Sequence, residues 1–464
     1  MSTLADIMNT GSYALRIQQL AMQVVGQNTA NVNTDGFTRR RLDLTTAPPS
    51  AGLGVWDAGA GVDVLNLARV RDGVLDRQVR TGNGDLNYWS KKDDVLSQVE
   101  NVFNEMGDSA IGTQLQDFWA SWQDLANHPE GDANRSAVLQ KAQTLSAGVR
   151  RAYSDLSQRH DNVDSQIKTD VTEVNSLTSK VAQLNVQIVR SEMSGGEASD
   201  LRDERDRVLD RLSSLMNIST QEDSNGAVSV FNGGQAIVQL DHNTELTMST
   251  VSSNGLLNTV VTYGTSGRQL ELQGGEIKGL MDVRDKDIRS VMDNLDTFAV
   301  ALANRVNEVH RTGYSGTNIT GVDFFASDVT GAASFRVSDA VSDDYSLIAT
   351  AAAPDSPGDN SIALQLAGIQ NEKLLNSGRS TASEFYRDAM LDLGSKKSFA
   401  TSQLKVEQVA ADNLENRRQQ VSGVSLDEEM TRLVQVQQAY GAAAKIVNAV
   451  DQMMQTVLTL GTAA

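Results

Sequence analysis

Cysteine is absent from this chain of 464 residues, which contains only 5 prolines and 4 histidines. Without cysteine, disulfides and thiolate metal sites are excluded, and the scarcity of proline permits long helices. No stretch approaches the roughly 20 apolar residues of a membrane span. The N-terminus also lacks the basic start and apolar run of a secretory signal peptide. We therefore expect a mainly helical protein whose export, if it occurs, leaves the N-terminus uncut.

The charge balance is strongly acidic, with 40 Lys and Arg residues against 59 Asp and Glu residues and a net charge of -19. Such a field repels nucleic-acid phosphates and anionic membrane surfaces, so we expect neither as a partner. The histidines do not follow metal-ligand spacing, and no phosphate-binding loop or nucleophile elbow is found. His310, near the end of a predicted helix, is expected to cap that helix or lie at the surface. We expect no catalytic residue, no metal site and no cofactor.

Apolar residues recur every three to four positions over long tracts, which predicts helices. A chain of 464 residues is too long for one ordinary core, so we expect two to four domains. The tract from about 134 to 189 has almost no helix breaker, and this length is typical of a coiled coil or an elongated bundle. The charge-rich segment 200–212 is expected to be a helix with a solvated face. The other helices are predicted at 67–102, 111–125, 276–311 and from 382 to the C-terminus.

Alternating apolar and polar residues between 217 and 275, separated by Asn-Gly, Gly-Gly and Ser-Gly pairs, predict a small antiparallel β domain. Weaker strand signals occur at 324–366, and an irregular or short-stranded stretch is predicted at about 36–65. The predicted fold is mainly α, elongated and multi-domain, with inserted β segments. The predicted domains are a terminal helical assembly domain (1–35 with 424–464), a helical rod-like domain (36–216 with 276–423) and a small β-rich outer domain (217–275).

Both ends of the chain carry an apolar stripe at helical spacing. The C-terminal stripe comprises Leu426, Leu433, Val436, Tyr440, Ala443, Val447, Val450, Met454 and Val457, with Glu429 as its one charged position. The N-terminal stripe comprises Leu4, Met8, Leu15, Met22 and Val25, interrupted by Gln18. These stripes predict a coiled-coil-like pair of terminal helices, which bury the rest of their apolar surface either within the chain or against neighbouring subunits.

A motif follows the first predicted helix, with Asn28, Ala30, Asn31, Asn33, Thr34, Gly36 and Phe37 as its members. Asn residues favour turns, and Gly36 permits a positive φ, so the helix is expected to stop here. The segment resembles the Ala-Asn-Val-Asn-Thr-Pro-Gly-Tyr motif of the axial proteins of the bacterial flagellum, namely its rod, hook and hook-associated proteins. Asp35 stands where that motif has Pro, and Phe37 stands where it has Tyr.

The C-terminal segment from Ser422 to Tyr440 is most similar to the hook–filament junction members of this family. Further similar islands lie at 231–235, 275–284 and 304–325. The resemblance implies a self-assembling, ring-forming adaptor at the hook–filament junction, needed for filament assembly and motility. It implies the hook protein and the second junction protein, hook-associated protein 3, as partners. It also implies export through the flagellar type III apparatus, with a cytoplasmic chaperone holding the C-terminal stripe before secretion.

Three alternatives stay open at this point. Another axial protein, such as a hook or rod component, would share the motif and the stripes. An extracellular adhesin or hydrolase would place its activity in the β region at 217–275. A cytoplasmic coiled-coil scaffold would account for the helices without any export.

Overall fold

The computed structural model describes residues 2–47, 61–103, 110–193, 196–253, 255–264 and 266–462. The predicted irregular stretch therefore falls partly, at 48–60, outside the described residues. Within those ranges, no helix is long and apolar enough to cross a membrane.

Helices dominate the described residues. The α-helices are α1 (Ser2–Ala30), α2 (Gly73–Phe103), α3 (Ile111–Asn127), α4 (Asp132–Met193), α5 (Ser199–Leu215), α6 (Glu276–Asp282), α7 (Arg289–His310), α8 (Asp339–Asp343), α9 (Ser361–Gly368), α10 (Ala382–Ser422) and α11 (Leu426–Thr462). A π-helical turn, Val283–Ile288, joins α6 to α7. The fold class predicted from the sequence, mainly α and elongated with β insertions, is confirmed.

The 62-residue helix α4 is the central helix of the structure and is about 93 Å long at 1.5 Å per residue. We call α4 and the elements packed around it the body. Its buried residues recur at alternating intervals of three and four with few exceptions, which is the spacing of a coiled-coil seam. That buried stripe includes Val138, Ala142, Leu145, Val149, Ala152, Leu156, His160, Val163, Ile167, Val171, Val174, Thr178, Val181, Asn185 and Ile188. Helices α2, α3, α5, α6 and α7 pack around α4, and α10 packs along α2.

The strands form small antiparallel sheets. They are β1 (Arg40–Thr46), β2 (Val62–Arg69), β3 (Ser219–Glu222), β4 (Val228–Asn232), β5 (Gln235–Gln239), β6 (His242–Asn243), β7 (Leu246–Ser253), β8 (Leu256–Tyr263), β9 (Tyr314–Ser315) and β10 (Ala349–Ala351). Strands β1 and β2 pair, β3 to β6 form a four-stranded sheet in chain order, β7 pairs with β8, and β9 pairs with β10.

Helix asparagines attach strands to the helices by a recurring contact in which one side-chain amide bonds both backbone groups of a single residue. Asn175 of α4 donates to the Leu246 carbonyl at 2.9 Å and accepts from the Leu246 N–H at 2.8 Å. Asn185 contacts Val228 in the same way, at 2.8 and 3.0 Å. These contacts place the β segments along the C-terminal half of α4, and their apolar residues belong to the same core as the helices. The division into separate domains stays a prediction.

Several local predictions need correction, in whole or in part. The single helix expected from 382 to the C-terminus is two helices, α10 and α11, which separate at Gly423. The helix expected from residue 67 begins at Gly73, because residues 67–69 are the end of β2. The stretch 324–366 contains the three-residue strand β10 and a bridge between Phe325 and Val337, while α8, α9 and short 3-10 turns occupy much of the remainder.

His310 is buried and does not lie at the surface. It bridges the Val322 carbonyl, 2.8 Å from Nδ1, and the Ala349 N–H, 3.0 Å from Nε2.

Candidate assembly interface

The terminal helices α1 and α11 lie antiparallel against each other. Near one end, Gly11 is so close to Val447 that a Cβ on residue 11 would lie 2.7 Å from Val447 Cγ2. Toward the other end, Val25 and Val436 line one small cavity. Because positions 11 and 25 of α1 meet positions 447 and 436 of α11, the two helices run in opposite directions.

The C-terminal stripe faces α1 over most of its length. Glu429, Val436, Ala443 and Val450 are buried, with exposures of 1%, 9%, 7% and 2%. The alternate positions Leu433, Tyr440, Val447 and Met454 are half-buried. Leu426 and Val457, at the two ends of the stripe, are exposed. The heptad spacing thus describes a two-helix seam whose centre is buried and whose ends are open.

The N-terminal stripe is less completely buried. Val25 is buried, whereas Leu4, Met8, Leu15 and Met22 are half-buried. Sequence reasoning missed Gly11, Ile17 and Val24, which are buried. Ile17 and Val24 line a cavity with Leu42 and Leu44 of β1, so α1 packs against the β1–β2 hairpin as well as α11. A single-stripe pattern does not capture a helix with two packing neighbours.

The surfaces of α1 and α11 outside this seam retain large apolar side chains exposed to solvent. On α1 these are Ile7, Tyr13 and Leu20, and on α11 they include Met430, Val434, Ile446, Met453 and Leu458. Their exposures range from 37% for Leu20 to 65% for Leu458. Exposed large apolar side chains in this number are typical of an interaction site.

The motif after α1 joins the terminal pair to the body. Asn28 is buried, and its side-chain amide bonds both backbone groups of Arg40 at 3.0 Å. This is the same contact that Asn175 and Asn185 make on α4, and here it fixes the start of β1 against the end of α1. Asn31 donates to the Gln27 carbonyl and accepts from the Thr34 hydroxyl, which closes the turn.

Three further motif positions are exposed, namely Ala30, Asn33 and Gly36. Gly36 has a φ of +72°, a conformation that other residues adopt at a cost. A Cβ on Gly36 would also lie 2.4 Å from Arg207 Cδ, so this turn passes directly over α5. Phe37 is half-buried and lies under the Arg40 guanidinium, whose Cζ is 5.2 Å from the ring centroid.

The charged segment of α5 is not the solvated face that the sequence suggested. Its acids Asp200, Asp203, Asp206 and Asp210 meet arginines from outside the helix, and we call this set the joint cluster. Its arginines are Arg40 at the start of β1, Arg69 at the end of β2, Arg71 in the following loop, Arg80 of α2 and Arg418 of α10.

Distances in the joint cluster are those of hydrogen-bonded ion pairs. Arg69 is 2.8 Å from Asp203, and Arg80 is 3.0 Å from Asp206 and 2.9 Å from Asp210. Arg418 is 2.6 Å from Asp210. The cluster therefore connects α5, the hairpin and α10, at the place where the terminal helix pair meets the body.

Asp206 is the centre of the joint cluster, paired with Arg69, Arg71 and Arg80. Burial alone would raise the pKa of the Asp206 carboxyl, but Arg71, Arg69 and Arg80 outweigh it and hold that pKa well below its ordinary value. The sequence contained one signal of this arrangement, because Asp203, Asp206 and Asp210 recur at intervals of three and four and so share one helix face. The facing arginines come from distant segments and could not be assigned to it.

Comparison with known proteins agrees with this architecture. Residues 96–325 match the family model described as the flagellar hook-associated protein FlgK helical domain, and residues 417–460 match the flagellar basal body rod FlgEFG protein C-terminal model. The flagellar hook-associated protein 1 of Bacillus subtilis is 30% identical, over 97% of this chain and 97% of that protein. The chain belongs to the flagellar hook-associated protein 1 family.

Two further relatives agree with this membership. The flagellar hook-associated protein 1 of Escherichia coli is 23% identical over 98% of this chain and 100% of that protein. The solved flagellar hook junction protein FlgK of Burkholderia pseudomallei superposes with a TM-score of 0.67 at 17% identity, covering 75% of this chain and all of that one. At this identity the structural match shows a shared fold.

Membership in the hook-associated protein 1 family confirms the resemblance found in the sequence. The protein is a structural component of the bacterial flagellum at the hook–filament junction. Among the described residues, no group of three or more His, Asp or Glu side chains is arranged to hold a metal ion. The roles of the motif and of the two stripes in assembly stay predictions.

Proposed function

We propose that this protein forms a ring at the hook–filament junction through its paired terminal helices, with the hook protein on one side and hook-associated protein 3 on the other. The observation that supports this is the exposed apolar surface of α1 and α11. Two helices that pack mainly on each other and on one hairpin leave most of their circumference uncovered. In the assembled ring, neighbouring subunits would cover this exposed surface.

Burial of these exposed side chains would favour assembly. Complete burial of a large apolar side chain contributes about 1.5–3 kcal/mol, so covering one that is already half-buried contributes about 1 kcal/mol. Ile446, Met453 and Leu458 are exposed by 51%, 50% and 65%. Together with their neighbours on both helices they offer several kcal/mol per subunit, before the entropic cost of association is subtracted.

The same surface suggests a need for protection before export. An isolated helix pair with this much exposed apolar area is prone to aggregation. We therefore propose that a cytoplasmic export chaperone holds α11, covering these exposed apolar residues together with the C-terminal stripe, and that the chain leaves through the flagellar type III apparatus without cleavage. If a chain lacking residues 426–460 still bound the chaperone with unchanged affinity, this part of the proposal would be refuted.

Electron microscopy of cells lacking the gene tests the junction role, together with an assay of their supernatant for filament protein. We expect hooks without filaments and shed filament subunits. Intact filaments would contradict the proposal, and the absence of hooks would indicate an earlier role in assembly.

A pair of point variants tests the assembly surface. Ile446→Asp combined with Met453→Asp places charges on the exposed face of α11 and is expected to abolish incorporation into flagella. Gln452→Asp is the matched control, because Gln452 is an exposed polar residue of the same helix. Normal motility and normal filaments in the Ile446/Met453 variant would contradict the proposed role of this face. Circular dichroism of both purified variants checks that the helices still form.

A further inference from the structure

One glycine of the terminal helix pair lies directly against the opposite helix. Glycine inside a helix is less favourable than alanine, so a helical glycine that faces open space has no packing reason to be there. At Gly11 of α1, a Cβ would lie 2.7 Å from Val447 Cγ2 and 4.0 Å from the Val447 backbone nitrogen. At Gly26 of α1 and Gly441 of α11, no atom of the described residues lies within 4 Å of such a Cβ. Of these three glycines, only Gly11 stands where the packing of α1 on α11 excludes a side chain.

Val447 does not move aside easily to make room for a Cβ on residue 11. A β-branched side chain in a helix has one strongly preferred χ1 rotamer. Carbon atoms pack best at about 3.5–4.0 Å, so a contact of 2.7 Å would be relieved by moving α1 and α11 apart by about 1 Å. We call the pair Gly11 and Val447 the close contact.

The close contact aligns exposed apolar residues of the two helices. Because α1 and α11 are antiparallel, Ile7 lies between Ile446 and Met453 in height along the pair. At about 100° per residue, Ile7 is turned about 40° around α1 from Gly11. Ile446 and Met453 are turned about 100° and 120° around α11 from Val447. These rotations have the same sense along each chain, which in an antiparallel pair places all three side chains on one side.

We call Ile7, Ile446 and Met453 the composite patch. They are exposed by 46%, 51% and 50%, so each keeps about half of its surface free for a neighbour. A neighbour that covers all three must contact both helices at once. It meets them at the spacing that the close contact sets.

We propose that Gly11 is a positioning residue for assembly, because it lets α1 and α11 approach closely enough for one neighbouring subunit to pack on the whole composite patch. This inference rests on the proposed junction role, in which neighbouring subunits cover these helices. The core of a protein interface is packed as densely as a protein interior, so small shifts between the two halves of a patch weaken it.

Incorporation into flagella tests this role, measured as the share of exported chain that is found in purified flagella and not in the culture supernatant. Gly11→Ala is expected to lower this share about tenfold, as the loss of roughly one apolar side-chain contact from the interface would. Gly26→Ala and Gly441→Ala are matched controls, because they make the same chemical change on the same helices in open space, and both should incorporate like the wild type.

Circular dichroism of the purified chains separates positioning from folding. Alanine favours helix over glycine, so Gly11→Ala is expected to keep the full helical content of the wild type while its incorporation falls. Val447→Ala removes the Cγ2 atom that the new Cβ would meet. The double variant Gly11→Ala with Val447→Ala is therefore expected to incorporate as well as Val447→Ala alone.

Two results would overturn the role of Gly11, namely normal incorporation of Gly11→Ala, or a double variant that incorporates no better than Gly11→Ala. The combined variant Ile446→Asp with Met453→Asp distinguishes this failure from that of the proposed function. If that variant fails to incorporate while Gly11→Ala incorporates normally, only the inference about Gly11 is wrong. If both incorporate normally, the proposed assembly surface is wrong as well.

Discussion

Replacing Asp206 by Asn removes the carboxylate that Arg69, Arg71 and Arg80 share in the joint cluster. Asn has the same shape but no charge, and it presents an amide N–H₂ group toward guanidinium groups that are themselves only donors. Asp206 is 15% exposed, while Arg69 and Arg80 are each 8% exposed. The arginines therefore cannot recover their lost partner by turning to water.

Removing one partner of a buried ion pair costs about 3–5 kcal/mol, whereas an exposed ion pair contributes about 0.2–1 kcal/mol. Arg69, Arg71 and Arg80 each keep a second carboxylate, from Asp203, Asp76 and Asp210 respectively, so the cost is expected near the lower end of the range for buried pairs. Asp206→Asn is thus expected to lower the free energy of unfolding by several kcal/mol at neutral pH. Protection of the β1–β2 hairpin against hydrogen exchange should fall with it.

Glu204→Gln is a control on the same helix. Glu204 pairs with Lys180 at 2.8 Å, but the side chains are 38% and 44% exposed. Urea denaturation of both variants, followed by circular dichroism, is expected to give a much lower midpoint for Asp206→Asn and a nearly unchanged midpoint for Glu204→Gln. The reasoning would be refuted by equal midpoints for the two variants.

The pH dependence of stability provides an independent check that the Asp206 carboxylate stabilises the fold in its charged form. Because the pKa of Asp206 is held below its ordinary value of 3.8, its contribution is present above that pH and is lost as the pH falls further. The difference in free energy of unfolding between wild type and Asp206→Asn should therefore be largest at neutral pH and should decrease below about pH 4.

Two further predictions concern single residues. Gly36→Ala is expected to destabilise the protein by about 1–2 kcal/mol because residue 36 has a positive φ. The new Cβ would also displace the Arg207 side chain, which adds a second cost. In a double-mutant cycle of denaturation midpoints, Arg207→Ala should remove only this second cost. For His310, burial outweighs the Val322 hydrogen bond and lowers the pKa to about 4. The folded state favours neutral imidazole, so about 3 kcal/mol of stability should be lost as the pH falls from 6.5 to 4. A His310→Gln variant, which lacks this titration, should lose less over that range; identical pH profiles would contradict the assignment.

Several elements were predictable from the sequence because their signals are local. The spacing of apolar residues located α4 to within a few residues, and it located the stripe of α11 from Leu426 onward, since each position on a helix repeats its environment after three or four residues. Asn-Gly and Gly-Gly pairs located the turns between the strands of 217–275, because only a few residues adopt a positive φ at low cost. The motif from Asn28 to Phe37 identified the family.

The charge-rich helix α5 shows where local reasoning fails. Opposite charges three and four residues apart are compatible both with a solvated helix and with a face that meets external partners. The choice depended on Arg69, Arg80 and Arg418, which come from three other segments of the chain. Their pairing with α5 depends on tertiary packing, which the periodicity of a single helix does not predict.

The amino-acid sequence by itself determined the helical class of this protein, the apolar stripes at its two ends and the turn after its first helix, because each depends on neighbours along the chain. Only the tertiary structure decided that Asn28 binds the backbone of Arg40, that α1 packs on a hairpin as well as on α11, and that Asp206 pairs with three arginines. Those contacts join residues of different helices and strands. The geometry of these contacts depends on how the other elements pack around α4.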